Sequence, residues 1–192
     1  PGASQSEITD YIADHRNGVA VGLWLFGLAS VALLWWFGSL WRLMVGAESG
    51  APRLAVVSLT GLVLGGTMAF ASSVVMATLG LVDSNGSVTT FYAMAAVFLS
   101  ASGFGLGAHL LATNTLAIRG DMFPAWLAVI GMLSAAAFLL SAVMGANEND
   151  TTSNTVSLVG FAVWLLWIVG VSVWIWSKEP MTRVGQEEQI AA

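Results

Sequence analysis

Five long apolar stretches without a single Asp, Glu, Lys or Arg dominate the sequence of this chain. The hydrocarbon core of a bilayer, about 30 Å thick, is crossed by about 20 apolar residues in helical conformation. Each of the five stretches has at least that length, and a helix satisfies its backbone hydrogen bonds within its own segment in lipid. We therefore predict an all-α polytopic membrane protein, a five-helix transmembrane bundle, with spans at 18–41, 55–81, 91–118, 125–144 and 156–176.

The composition narrows the classes of function. Hydrophobic residues make up 57% of the chain and charged residues 9%, a balance that a water-soluble globular domain does not have. The formal net charge of −5 gives no electrostatic basis for binding nucleic acid. The sequence has no cysteine, which excludes disulfides, thiol catalysis, iron–sulfur clusters and cysteine-based zinc sites.

Lysine and arginine are distributed unevenly about the predicted spans. With the N-terminus outside, the outer segments hold only Arg16, and the inner segments hold Arg42, Arg53, Arg119, Lys178 and Arg183. The positive-inside rule therefore predicts an outer N-terminus and a cytoplasmic C-terminus. The chain then divides into an outer N-terminal tail or interfacial helix at 1–17, the five-span domain at 18–176, and a solvated cytoplasmic tail at 177–192.

His109 is the only histidine in the predicted spans, and an ionisable group at that depth is a candidate functional residue. The helical rise places it about 13 Å from the inner end of its span. Residues on the same face, or at similar depth on other spans, complete the candidate ligand-binding set: Ser102, Thr113, Asn114, Ser58, Gly65, Ser134 and Trp167. Within this set we expect a hydrogen bond between Asn114 and Ser58.

Glycines recur at four-residue spacing in the second span, at Gly61 and Gly65, and in the third, at Gly103 and Gly107. This spacing lets two helix backbones approach closely. In a chain with several spans we interpret both pairs as internal packing rather than as a dimer interface. We therefore expect the second and third spans to pair there, with His109 facing inward.

Two interpretations of His109 remain open. In the first, a neutral imidazole bonded to a hydroxyl or carbonyl fixes helix packing. In the second, His109 binds a proton, haem, a quinone, or a small apolar molecule or lipid in a pocket between the second, third and fourth spans. Haem held by two histidines is excluded because His15 lies outside the membrane. General-base catalysis with Ser102 is excluded because seven residues of helix separate the two side chains by about 10.5 Å.

The predicted outer loops concentrate oxygen-bearing side chains, at 83–87 and 147–154. Solvated turns are one interpretation, and weak binding of calcium is the other. Neither loop has the residue pattern of a calcium-binding loop, so no metal ligand is assigned. Asn85 and Asn149 begin N-glycosylation sequons, which matter only in a eukaryotic host.

Two segments carry a resemblance to a known group of proteins. Residues 34–42, Leu-Trp-Trp-Phe-Gly-Ser-Leu-Trp-Arg, end the first span, and residues 119–127, Arg-Gly-Asp-Met-Phe-Pro-Ala-Trp-Leu, connect the third span to the fourth. Together they resemble small actinobacterial integral membrane proteins of unknown function. Ala125 and Ala128 depart from that group, which has a basic residue and a glycine there. The resemblance implies a bacterial cytoplasmic membrane and brings no activity, cofactor or site residue with it.

The sequence favours a membrane protein without catalysis of its own. We expect an accessory or scaffold subunit of a membrane complex, in contact with the lipid bilayer and with a protein partner or a second copy of the chain. One alternative is binding or transport of a small apolar molecule or lipid near His109, and another is a redox subunit that uses His109 toward haem or a quinone. The connection at 119–127 is interpreted as an interfacial anchor, with docking of a partner as the alternative.

Overall fold

The computed structural model describes the backbone of residues 5–79, 88–145 and 151–191. This part of the chain forms five helices joined by short connections and contains no strand: α1 (Gln5–Ala47), α2 (Arg53–Leu79), α3 (Val88–Arg119), α4 (Ala125–Met144) and α5 (Thr151–Ala191). All five are long and apolar enough to cross a membrane. The predicted all-α, five-span fold class is therefore confirmed, and the protein is a multi-pass membrane protein.

α1 and α5 extend well beyond their predicted spans, whereas α4 has the predicted bounds. At the N-terminus, where we expected either a short helix or a frayed tail, α1 begins at Gln5 and is interrupted at His15, whose backbone is not helical (φ −113°, ψ 16°). The His15 ring stacks on Tyr11, with the ring centroids 4.3 Å apart. At the other end, α5 continues as a helix through most of 177–192, which we expected to be a solvated tail.

α3 lies at the centre of the bundle. It packs against α2 on one side and α4 on the other, while α5 packs on α4, and α1 packs on α2 and α3. Most of the buried core lies toward the end of the bundle at which α1 and α3 terminate and α2 begins. We call this end, which carries Arg42, Arg53 and Arg119, the arginine end.

Glycines allow α3 to approach both of its neighbours closely. A Cβ atom added to Gly61 would lie 2.7 Å from the carbonyl oxygen of Gly105, and one added to Gly65 would lie 2.7 Å from the backbone nitrogen of Leu106. Gly103 packs in the same way on α4, where an added Cβ would lie 2.6 Å from the carbonyl oxygen of Phe138. The predicted pairing of the second and third spans and the internal role of their glycines are thus confirmed.

The connection from α3 to α4 contributes two apolar side chains to the core, while Asp121 stays exposed. Met122 and Phe123 are buried, and the Phe123 ring meets Trp167 of α5 edge-on, with the centroids 6.3 Å apart. Pro124 occupies the N-cap position of α4, and its carbonyl accepts a hydrogen bond from Leu127. The exterior of the bundle is apolar, as the exposed leucines and valines of all five helices show, and it contacts lipid.

Toward the end of the bundle opposite the arginine end, α1, α3 and α5 each carry exposed residues. On one face of α3, Leu110 is fully buried and Leu106 is 6% exposed, whereas Leu99, two turns nearer to the start of α3, is 53% exposed. On α1, Gly22 and Ala29 are exposed and share a face with Trp36 at seven-residue spacing. On α5, Leu158 and Leu165 are exposed and lie at the same spacing from Ser172. Because Trp36 and Ser172 are hydrogen-bonded to each other, we infer that these faces of α1 and α5 border a groove over Leu99, which we call the α1–α5 groove.

Candidate functional site

Three fully buried side chains form a hydrogen-bonded cluster around His109. His109 Nδ1 lies 2.8 Å from Ser58 Oγ, and Ser58 Oγ lies 2.8 Å from Thr113 Oγ1. Thr113 follows His109 by one helical turn and donates to its carbonyl oxygen at 2.8 Å. Ser58 reaches them because Gly61, one turn further along α2, brings the α2 backbone into contact with α3 at His109. We call Ser58, His109 and Thr113 the His109 cluster.

The number of protons available favours one tautomer of His109. The cluster has three short contacts, each of which needs one proton, and the two hydroxyls supply two of them. A third proton on Nδ1 satisfies all three contacts, with His109 donating to Ser58, Ser58 donating to Thr113, and Thr113 donating to the His109 carbonyl. With hydrogen on Nε2 instead, one contact would lack a proton. We therefore infer hydrogen on Nδ1, which leaves a lone pair on Nε2 of the neutral imidazole.

Aromatic rings from two other helices enclose the imidazole. Phe37 of α1 meets the His109 ring edge-on with the centroids 5.7 Å apart, and Trp167 of α5 does so at 6.1 Å. His109 Nε2 is buried and has no hydrogen-bond partner. The expected pocket between the second, third and fourth spans stays a prediction, and the structure adds aromatic rings of α1 and α5 next to His109.

A second buried contact joins α3 to α5. Trp167 Nε1 donates to Asn114 Oδ1 at 3.1 Å, and Asn114 Nδ2 donates to the carbonyl of Leu110 at 2.7 Å. Gly131 of α4 lies against the same amide, where any Cβ atom would overlap it. The predicted bond between Asn114 and Ser58 is thus wrong. Successive residues of a helix point about 100° apart, so Thr113 faces α2 while Asn114 faces α4 and α5.

The remaining predicted site residues lie apart from His109. Ser102 donates to the carbonyl of Leu99 at 2.6 Å, and Ser134 donates to the carbonyl of Gly160 in α5 at 2.8 Å. Gly65 packs on the α3 backbone at Leu106. The sequence prediction grouped these residues because they lie at a similar distance from the ends of their spans. That grouping assumes helices that are parallel and end at one level in the membrane. Of the predicted set, the structure places Ser58, Thr113 and the Trp167 ring next to His109, and it joins Trp167 in turn to Asn114.

Sequence analysis missed the contribution of α1. Phe37 contacts His109, Met44 Sδ lies 3.9 Å from Thr113 Oγ1, and Trp36 Nε1 donates to Ser172 Oγ of α5 at 2.8 Å. Phe37, Leu40 and Met44 are the buried residues of α1, and their spacing marks one helix face. That signal was weak because the other faces of α1 are equally apolar.

The structure does not test the predicted loop properties. Residues 83–87 and 147–150, with their sequons and oxygen-rich side chains, lie outside the described residues. Within the described ranges, no three His, Asp or Glu side chains come together as metal ligands.

The chain matches no protein-family model, no curated protein and no solved structure. What the site can do therefore has to follow from its own chemistry. The His109 cluster and the Asn114–Trp167 contact connect α2, α3 and α5, and Nε2 of His109 is buried without a hydrogen-bond partner.

Proposed function

We propose that this chain is a non-catalytic scaffold subunit of a membrane complex and that the α1–α5 groove receives a transmembrane helix of its partner. The observation that carries the proposal is the change along one face of α3 from buried Leu110 to exposed Leu99. Consistent with this, none of the residues in the most apolar stretch of α1 is buried. In the most apolar stretches of the other four helices, between 22% and 44% of the residues are buried.

The walls of the groove suit a helix. Gly18 and Gly22 on α1 have open space around the position of a Cβ atom, and Ala29 continues the same small surface. Small residues at this spacing let a second backbone approach closely, and close packing is what drives helix association in lipid.

The polar side chains of the bundle interior support a structural role. Their hydrogen bonds connect one helix to another, as in Ser58 to His109, Trp167 to Asn114, and Trp36 to Ser172. Such bonds hold a small bundle in one arrangement, which is what a docking surface requires. The proposed location is the bacterial cytoplasmic membrane, with the arginine end inside, because of the predicted excess of basic residues there.

Gentle extraction from the native membrane tests this proposal. We expect one protein to co-purify in stoichiometric amount with the wild-type chain and to be lost from Gly22→Leu, which fills the groove. Gly38→Leu is the matched control, because Gly38 also lies on α1 with open space around it but on the opposite face. Mass spectrometry identifies the partner as another protein or a second copy. Equal recovery from both variants, or no partner with any of them, contradicts the proposal.

A second candidate function rests on the unpaired Nε2 of His109. A buried lone pair next to Phe37 and Trp167 could accept a hydrogen bond from a small apolar molecule that carries one donor, such as a quinol. It could instead coordinate the iron of a haem. We infer an acceptor role rather than a donor role, since the proton of the imidazole is on Nδ1.

Small molecules that co-purify with the wild type and with His109→Leu test this candidate. A retained quinol, or a Soret band in the visible spectrum, that disappears in His109→Leu supports it. A nitrogen-15 spectrum that shows the hydrogen on Nε2 rather than on Nδ1 contradicts it, and so does identical small-molecule content in the two proteins.

A further inference from the structure

The arginine end of the bundle contains a pocket of about 470 Å³ under the connection from α1 to α2. Arg53 at the start of α2 and Arg119 at the end of α3 line it, together with Glu48 from the connection. Its apolar lining includes Leu54 and Leu116. The pocket therefore combines two guanidinium groups with an apolar surface where the helices end.

The one carboxylate in this pocket is already bound. Glu48 Oε1 accepts a hydrogen bond from the backbone nitrogen of Leu54 at 2.8 Å, and Oε2 accepts one from Ala55 at 3.1 Å. Glu48 thus neutralises the N-terminus of α2, where unpaired backbone N–H groups and the helix dipole attract negative charge. A second anion in the pocket has to be held by the arginines rather than by this helix terminus.

The two arginines are available for such an anion. Both side chains are exposed to the pocket region, and within the described ranges neither guanidinium has a carboxylate partner. Guanidinium groups bind phosphate through paired N–H donors, and they are well suited to phosphate recognition for that reason. The ends of membrane-spanning helices lie at the level of lipid phosphates.

We propose that Arg53 and Arg119 hold a phosphate group in this pocket, with the phosphodiester of an anionic phospholipid as the first source to test and free phosphate as the second. Leu54 and Leu116 then contact the apolar part of the lipid next to its head group. The site is independent of the α1–α5 groove, which opens toward the other end of the bundle.

The experiment uses the full chain in detergent, stripped of lipid, with phosphatidylglycerol added and bound lipid counted by native mass spectrometry. Loss of one charged hydrogen-bond partner weakens binding about tenfold, and we expect this for Arg53→Gln and for Arg119→Gln. Arg42→Gln is the matched control, because Arg42 is exposed near the same end and does not line the pocket. Circular dichroism checks that the helices of each variant are intact.

The source of the phosphate follows from competition. Binding of phosphatidylglycerol that survives excess inorganic phosphate supports a lipid site, and displacement by inorganic phosphate supports a site for the free ion in the same pocket. An equal loss in Arg42→Gln overturns the proposal, because attraction to net charge then explains the binding. No loss in either pocket variant overturns it as well.

Discussion

At the scale of single residues, His109 shows how a polar side chain is accommodated at the centre of an apolar bundle. Its Nδ1–H, the two hydroxyls of the cluster and its own carbonyl form one chain of hydrogen bonds. That His109 faces inward was predictable, because a polar group avoids lipid. Trp167 was in the predicted set because it lies at the same depth as His109, but Phe37 was not, since the prediction used distance along each helix and had no information on how the helices cross.

The Ser58 hydroxyl is the member of the cluster that connects two helices. Ser58→Ala removes both contacts of the Ser58 hydroxyl and leaves His109 Nδ1 without a partner, whereas Thr113 keeps its bond to the His109 carbonyl. We therefore expect a loss of about 1 kcal/mol in the free energy of unfolding. Ser73→Ala is the matched control, since its hydroxyl donates to Ala69 within α2. Titration with a denaturing detergent measures the free energy of unfolding of each variant. Equal stability of the two variants would show that the cluster does not hold α2 to α3.

At the scale of helices, the predicted spans locate every helix but place several ends too early. The first predicted span stops just before Arg42, yet α1 continues to Ala47, and Met44, beyond that arginine, is fully buried. The prediction followed apolar length, whereas the helix ends where its backbone leaves the bundle. The pairing of α2 with α3 was predictable because their glycines have a spacing that apolar composition alone does not produce.

Two adjacent glycines of α2 provide a test of this close approach. Gly65 lies against α3, whereas Gly66 has open space around it. We expect Gly65→Leu to lower the free energy of unfolding by about 2 to 3 kcal/mol relative to Gly66→Leu, because its side chain displaces the α3 backbone. Both changes raise helix propensity equally, so the difference reports packing. A difference near zero in detergent unfolding would mean that α2 and α3 do not pack here.

At the scale of the whole molecule, the sequence specifies a five-helix membrane bundle, and the structure adds which residues of α3 the other helices leave uncovered. Leu110 is buried and Leu99 is exposed although both are apolar residues on one face of α3, so no local sequence pattern distinguishes them. The orientation in the membrane is a prediction from basic residues alone.

The orientation is testable because the chain has no cysteine of its own. Ser49 lies in the exposed connection at the arginine end, and Asn17 lies exposed toward the other end. In intact cells, we expect a membrane-impermeant thiol reagent to label Asn17→Cys and to spare Ser49→Cys until the membrane is opened. The reverse labelling pattern would place the arginine end outside.

Site-directed photo-crosslinking in the native membrane tests the scaffold role most directly. A photoreactive residue is placed at Ala29, in the α1–α5 groove, and in a separate variant at Val31, which lies on the opposite face of α1 and is 64% exposed. The account predicts that position 29 crosslinks to one protein and that position 31 crosslinks to lipid. Crosslinks to lipid alone from both positions would contradict it, because the groove would then be an ordinary lipid-facing surface.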